Sequence, residues 1–142
     1  EISRKFSLVY TGMTRSASKV LSPSSQNQEE KNAKLKEIRA HADIAAKMVM
    51  AGDLDSLGLL LNEAWLSKRG TSPKVSNPTI DGLYNSIMSM GAKGAKLLGA
   101  GSGGFFLVYG EAGLRDKMYN EIPPENKVLP ISVDFSGSKI IH

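Results

Sequence analysis

Six residues, Gly99-Ala100-Gly101-Ser102-Gly103-Gly104, separate two short apolar runs, Ala95 to Leu98 and Phe105 to Tyr109. Four of the six are glycine, the residue that enters positive φ without steric cost. Two β-compatible runs around such a stretch read as strands joined by the loop. The same glycines let a backbone come close to a ligand, and successive N–H groups in such a turn can hold an anion. A tightly packed hairpin turn with no ligand explains the composition equally well. The stretch is not a Walker A loop, because no Gly-Lys-Ser/Thr ending follows it and a strand comes next. For the same reason it is not a dinucleotide fingerprint.

The rest of the chain supplies partners for this hairpin. Phe6 to Thr11 alternates, with Phe6, Leu8 and Tyr10 on one face, as a strand does. Thr14 to Leu21 reads as a short helix or an ordered loop, and Ser22-Pro23-Ser24-Ser25 as a turn. From Asn27 or Asn32 to about Met50, Leu35, Ile38, Ala42, Ala45, Met48 and Val49 recur at three- and four-residue steps, which predicts an amphipathic helix. Gly52 suits its left-handed cap and Asp53 the next N-cap. A second helix runs to about Lys68 with Leu54, Leu57, Leu60, Leu61, Ala64 and Trp65 inward, so the two form an antiparallel hairpin. Asn77 caps a third helix with Pro78 at its first position. Its stripe is Ile80, Leu83, Tyr84, Ile87 and Met88, and it ends at Gly91. A short helix over about Glu111 to Asn120 follows the glycine hairpin. Leu129, Ile131, Val133 and Phe135 then alternate as a last strand, which Lys139 to Ile141 extends. Strand, helices, strand, strand, helix, strand is the layout of an α+β sandwich, with helices on one face of an antiparallel sheet.

The 142 residues suit one domain. No apolar run is long enough to span a membrane, and no signal-peptide pattern opens the chain. With no cysteine, disulfides, thiolate metal sites and thiol nucleophiles are excluded, which fits a cytoplasmic protein. The two histidines, His41 and His142, are too far apart to suggest a metal site. The net charge is +4, but the cations are interspersed with acids, as in Lys34-Leu35-Lys36-Glu37, and mark solvated helix faces rather than a nucleic-acid surface. Glu1 in place of Met is the mark expected of a chain that begins inside a longer protein.

Two further segments carry polar groups suited to an anion. Thr14, Arg15 and Ser16 lie just past a strand end, where a guanidinium and hydroxyls fit a phosphate. A capping Thr14 beside a surface arginine is the plainer reading. Lys68, Arg69 and Lys74 lie in or beside the loop before Asn77, and a solvated loop is the plainer reading there. No nucleophile–base pair and no metal-ligand cluster is legible.

Taken together, these segments resemble one family. Lys96-Leu97-Leu98-Gly99-Ala100-Gly101 is similar to the third, C-terminal motif of the GHMP kinases, usually Lys-Leu-Thr-Gly-Ala-Gly. Leu98 replaces the common Thr and removes any hydroxyl role there. Tyr10 to Ser18, Val75 to Tyr84 and Phe135 to Ile141 resemble segments of the branch that phosphorylates a heptose 7-phosphate at its anomeric hydroxyl. The resemblance implies a ferredoxin-like C-terminal domain over residues 1–142, with the ATP-binding domain, its phosphate loop and its catalytic Asp absent. It implies ATP and magnesium in the full-length enzyme, and a fragment that is inactive alone. Gly99, Ala100, Gly101, Ser102, Gly103 and Gly104 would lie near the phosphates and the acceptor sugar. Thr14, Arg15, Ser16 and Lys74 become candidates for the phosphate already on a sugar phosphate substrate. A kinase for a neutral sugar such as fucose, and a stand-alone ferredoxin-like module binding a ligand or protein, are the alternatives. The reading leaves room for a homo-oligomer.

Overall fold

The structure, a computed structural model, describes residues 1–14, 28–70 and 72–137. The glycine stretch joins β2 (Gly94–Leu97) to β3 (Phe105–Tyr109), antiparallel, with Leu97 opposite Phe106 and Gly94 opposite Tyr109. On the other side β3 pairs with β1 (Phe6–Tyr10), and β1 with β4 (Val128–Pro130). The sheet order is β2-β3-β1-β4, all antiparallel. Between β1 and β2 come α2 (Gln28–Ala51), α3 (Leu54–Arg69) and α4 (Pro78–Ser89), and between β3 and β4 comes α5 (Leu114–Glu121). A single turn, α1 (Ile2–Lys5), precedes β1. This is the α+β sandwich that the element order predicts, in the ferredoxin-like form that the resemblance implies.

The helix boundaries follow the predicted caps. The Asp53 carboxylate accepts from Ser56 N at 3.1 Å and the Asn77 side chain from Ile80 N at 3.1 Å, each satisfying an otherwise orphaned amide. Gly52 closes α2 at φ +72°.

The core lies on the sheet face formed by Val9, Phe106, Val108, Ala95 and Leu97. Ile80, Leu83, Tyr84 and Ile87 of α4 and Met118 of α5 cover it. Trp65 of α3 is fully buried and meets Phe106 edge-on, with ring centroids 5.6 Å apart. Such an aromatic pair adds about 0.5–1.5 kcal/mol beyond burial.

In β1 the inward row is therefore Ser7, Val9 and Thr11, while Phe6, Leu8 and Tyr10 share the opposite face. The inward hydroxyls are tolerated because each is bonded. Ser7 Oγ accepts from Arg115 Nε at 3.0 Å, and Thr11 Oγ1 donates to the Gly104 carbonyl at 3.0 Å. Phe6 is buried under the Tyr109 ring, with centroids 4.9 Å apart.

Two expectations need correction. The last strand stops at Pro130 instead of reaching Phe135. Pro130 has no N–H to give, and it already faces Ser7, one residue from the start of β1. Beyond it the ladder has no partner, and Phe135 is 94% exposed. The stripe of α2 is narrower than predicted: His41, Ala45 and Met48 are half-buried, while Ile38, Ala42 and Val49 are exposed. The cause is placement, for α2 packs on α3 rather than on the sheet. The opening turn α1 was not anticipated. The elements expected over Thr14 to Leu21 and Ser22 to Ser25, and the extension at Lys139 to Ile141, lie wholly or almost wholly outside the described residues.

The helix α3 lies against β2 at a direct backbone contact. A Cβ on Gly94 would stand 1.8 Å from the Gly58 carbonyl oxygen, and one on Gly58 would stand 2.1 Å from Tyr109 Cδ1. One turn before Gly58, Asp55 accepts from the Tyr109 hydroxyl at 2.7 Å and from Lys93 Nζ at 2.9 Å. Lys93 also donates to Glu111, which faces Lys5 at 3.7 Å. The Tyr109 hydroxyl, then Lys93, hold the Asp55 carboxyl below the ordinary aspartate range, while burial and the bond to Asp55 push the Tyr109 phenol up.

Gly58→Ala is expected to destabilise the chain by about 1–3 kcal/mol, the usual cost of overpacking a closed contact, measured by urea unfolding. Gly82→Ala in α4, where a Cβ meets nothing within 4 Å, is expected to raise stability by about 0.4–1 kcal/mol. Because the folded Asp55 pKa is lowered, its contribution is fully present above the unfolded aspartate value and is lost as the pH falls through the folded value. Asp55→Asn should therefore lower the unfolding midpoint at neutral pH and flatten the acid limb of the stability profile.

Candidate functional site

The turn from β2 to β3 is held from two sides. Ser102 N donates to the Val75 carbonyl at 2.8 Å, and Gly104 N donates to the Met13 carbonyl at 2.9 Å. Thr11 N and the Thr11 hydroxyl both donate to the Gly104 carbonyl, at 2.9 and 3.0 Å. The Ser102 hydroxyl donates to the Lys74 carbonyl. The end of β1, the loop before α4 and the glycine loop thus form one cluster, although they are far apart in sequence.

The loop's composition follows from these contacts. Gly101 has φ +110°, and a Cβ there would lie 2.7 Å from the Val75 carbonyl oxygen. Ser102 is buried and sits at φ 63°, a conformation a side chain enters at a cost. Its two bonds, from N and Oγ, hold it there. The amides of Gly99, Ala100 and Gly101 make no hydrogen bond within the protein among the described residues. Two of the six loop amides are therefore committed to the scaffold, and the anion-holding capacity expected of the whole stretch is confined to the rest.

The sequence-predicted residues fall into three groups. Thr14 follows Met13 directly and is exposed, and Lys74 is exposed with its main chain bonded to Ser102, so both stand beside the glycine loop. Arg15 and Ser16 lie outside the described residues. Arg69 is engaged elsewhere: it pairs with Asp81 at 3.3 Å, stands over the Tyr84 ring at 5.8 Å, and shares Asp81 with Ser76, whose hydroxyl donates at 2.7 Å. Lys68 turns to the glycine loop, where its ammonium donates to the Gly99 carbonyl.

Sequence reasoning overlooked Lys96 as a site residue. It lies on β2 three residues before Gly99 and is half-buried, as is Lys68. Burial pushes both ammonium pKa values down, and for Lys68 the neighbouring Lys96 charge adds to the effect. The signal was present, since Lys96 opens the glycine motif, but only the fold brings Lys68 to it. The Val75 and Met13 carbonyls act through the backbone, which side-chain patterns do not reveal.

A small antiparallel sheet with helical cover and a glycine hairpin at one end defines an α+β domain. The family model for the C-terminal domain of GHMP kinases matches residues 40–126, and the chain belongs to that family. The D-glycero-alpha-D-manno-heptose 7-phosphate kinase of Campylobacter jejuni is 31% identical over 148 aligned residues, covering 98% of this chain and 41% of the relative. The bifunctional fucokinase/GDP-fucose pyrophosphorylase of Arabidopsis thaliana is 28% identical over 112 residues, covering 76% of this chain and 10% of that protein. The structure of L. major mevalonate kinase in complex with R-mevalonate superposes with a TM-score of 0.68 over 91% of this chain and 43% of that one, at 24% identity. This chain thus spans less than half the length of the relatives it matches.

Ser102→Ala is expected to cost about 1 kcal/mol, the worth of one hydrogen bond, because it strands the Lys74 carbonyl and keeps a side chain at positive φ. Ser102→Gly loses the same bond but relieves the backbone, so it should be the milder of the two in urea unfolding.

Proposed function

We propose that this chain is the C-terminal domain of a cytoplasmic sugar kinase. The full-length enzyme transfers the γ-phosphoryl group of ATP to the anomeric hydroxyl of a heptose 7-phosphate. The observation that carries the reading is the locked glycine hairpin, which presents unengaged amides beside Thr14 and Lys74. Phosphoryl transfer is achieved largely by positioning and charge stabilisation, and a turn fixed by Val75 and Met13 is suited to positioning. The heptose 7-phosphate kinase relative, similar along nearly the whole chain, supports the substrate.

Within this scheme Gly99 to Gly104 line the cleft beside the phosphates and the acceptor. Arg15, with Thr14, Ser16 and Lys74, meets the phosphate already on the sugar. A phosphosugar calls for a cation that a neutral sugar does not. No group of three carboxylate or histidine side chains converges among the described residues, so they do not fit a magnesium site. Magnesium, ATP, the phosphate loop and the catalytic Asp are assigned to the family's ATP-binding domain. The fucokinase relative supports a second reading, a kinase for a neutral sugar.

ADP release by the full-length protein, with magnesium-ATP and a panel of sugars and sugar phosphates, tests the proposal. Turnover with a heptose 7-phosphate and silence of this chain alone are expected. Turnover confined to fucose or a related neutral hexose would favour the second reading, and no turnover with any sugar would remove both. Arg15→Ala should raise KM for the phosphosugar about 10- to 100-fold, matching a charged hydrogen bond, with KM for ATP nearly unchanged.

A further inference from the structure

The loop before α4 carries the Lys74 side chain and the two carbonyls that hold Ser102. One carboxylate on α4 grips this loop at both ends. Asp81 Oδ1 accepts from Ser76 Oγ at 2.7 Å and from Arg69 Nη1 at 3.3 Å. Arg69 closes α3, and Ser76 stands just before the Asn77 cap of α4, so the two donors bracket the loop. The guanidinium is oriented by the Tyr84 ring, 5.8 Å away, and Tyr84 is tied to α3 by its bond to Asn62 at 2.6 Å. Between the brackets the loop is folded on Ser72. Its hydroxyl accepts from Lys74 N at 3.2 Å and its carbonyl from Val75 N at 3.1 Å.

Asp81 is not needed to start α4, because the Asn77 side chain already caps it. Nor does its ion pair weigh much in global stability, since the Arg69 and Asp81 side chains are 36% and 40% exposed. Its effect falls on the loop. Ordering a free loop costs conformational entropy at every residue, and a loop held at both ends has lost much of that freedom before a ligand arrives. We propose that Asp81 is a positioning residue for the acceptor: through Arg69 and Ser76 it fixes the loop that presents Lys74, without touching a ligand itself. The inference rests on the kinase reading for the role of Lys74, while the link from Asp81 to the loop belongs to this chain alone.

The test uses the full-length protein and two readouts. Amide hydrogen exchange without ligand, followed by mass spectrometry, reports the loop directly. Asp81→Ala is expected to speed exchange about tenfold in peptides holding Val75 and Ser102, the size of a lost hydrogen bond. Peptides from β1 and β3 should keep the wild-type rate. Steady-state kinetics reports the consequence. Asp81→Ala should raise KM for the heptose 7-phosphate about tenfold, and Asp81→Asn, which keeps an acceptor for Ser76, about threefold. KM for ATP should stay within about twofold in both, the range of a contact not made to ATP. In a Lys74→Met background Asp81→Ala should add less than about twofold, because the residue it positions is gone. Unchanged exchange at the loop, or exchange raised equally in β1 and β3, overturns the proposal whatever the activity. So does an effect of Asp81→Ala on KM that persists in full in the Lys74→Met background. Absence of turnover with every sugar removes the kinase reading instead, and the exchange result then decides whether Asp81 fixes the loop.

Discussion

The contact on which the architecture depends is the approach of α3 to β2 through Gly58 and Gly94. A helix and a strand normally keep two layers of side chains between them. Here the backbones touch, with the Gly58 carbonyl where a Gly94 side chain would stand. This closeness lets Asp55 reach Tyr109 at one end of the helix and Lys68 reach Gly99 at the other. It also sets Trp65 against Phe106, and so sets the depth of the core. The second helix, α2, can then only pack outside α3, which leaves most of its surface in water.

Much of this was legible in the sequence because the local signals are strong and mutually consistent. Asn77-Pro78 marks a helix start by both capping and fixed φ, and Gly52-Asp53 marks one helix end and the next start. The glycine hairpin announced its two strands. Failures came where a neighbour, not the local pattern, decides. The alternation in Leu129 to Phe135 is real, but β1 offers too few residues to pair with it, so the strand is short. In β1 the alternation puts Phe6, Leu8 and Tyr10 on one face but does not say which face the helices cover. The row facing the helices is the other one, Ser7, Val9 and Thr11, and its hydroxyls are admitted because Arg115 and the Gly104 carbonyl bond them.

The site divides in the same way. That the glycine loop, Thr14 and Lys74 belong together was readable only through a resemblance, and the structure supplies the physical connection through the carbonyls of Met13, Val75 and Lys74. Main-chain acceptors leave no mark on a sequence pattern. The pairing of Lys68 with Lys96 is likewise a product of the α3–β2 contact. Arg69, the residue best suited by chemistry to hold a phosphate in that loop, is committed to Asp81 and the Tyr84 ring.

The bonds from Ser102 and Gly104 to the neighbouring loops also bear on how quickly a ligand can be captured. A free glycine-rich turn samples many conformations, and fixing each residue costs roughly 1–2 kcal/mol of entropy. In this domain part of that cost is met during folding, when Val75 and Met13 close on the loop. An anion at this turn would meet a loop whose second half is already set, and its association would then be governed by access and charge more than by waiting for the loop to order.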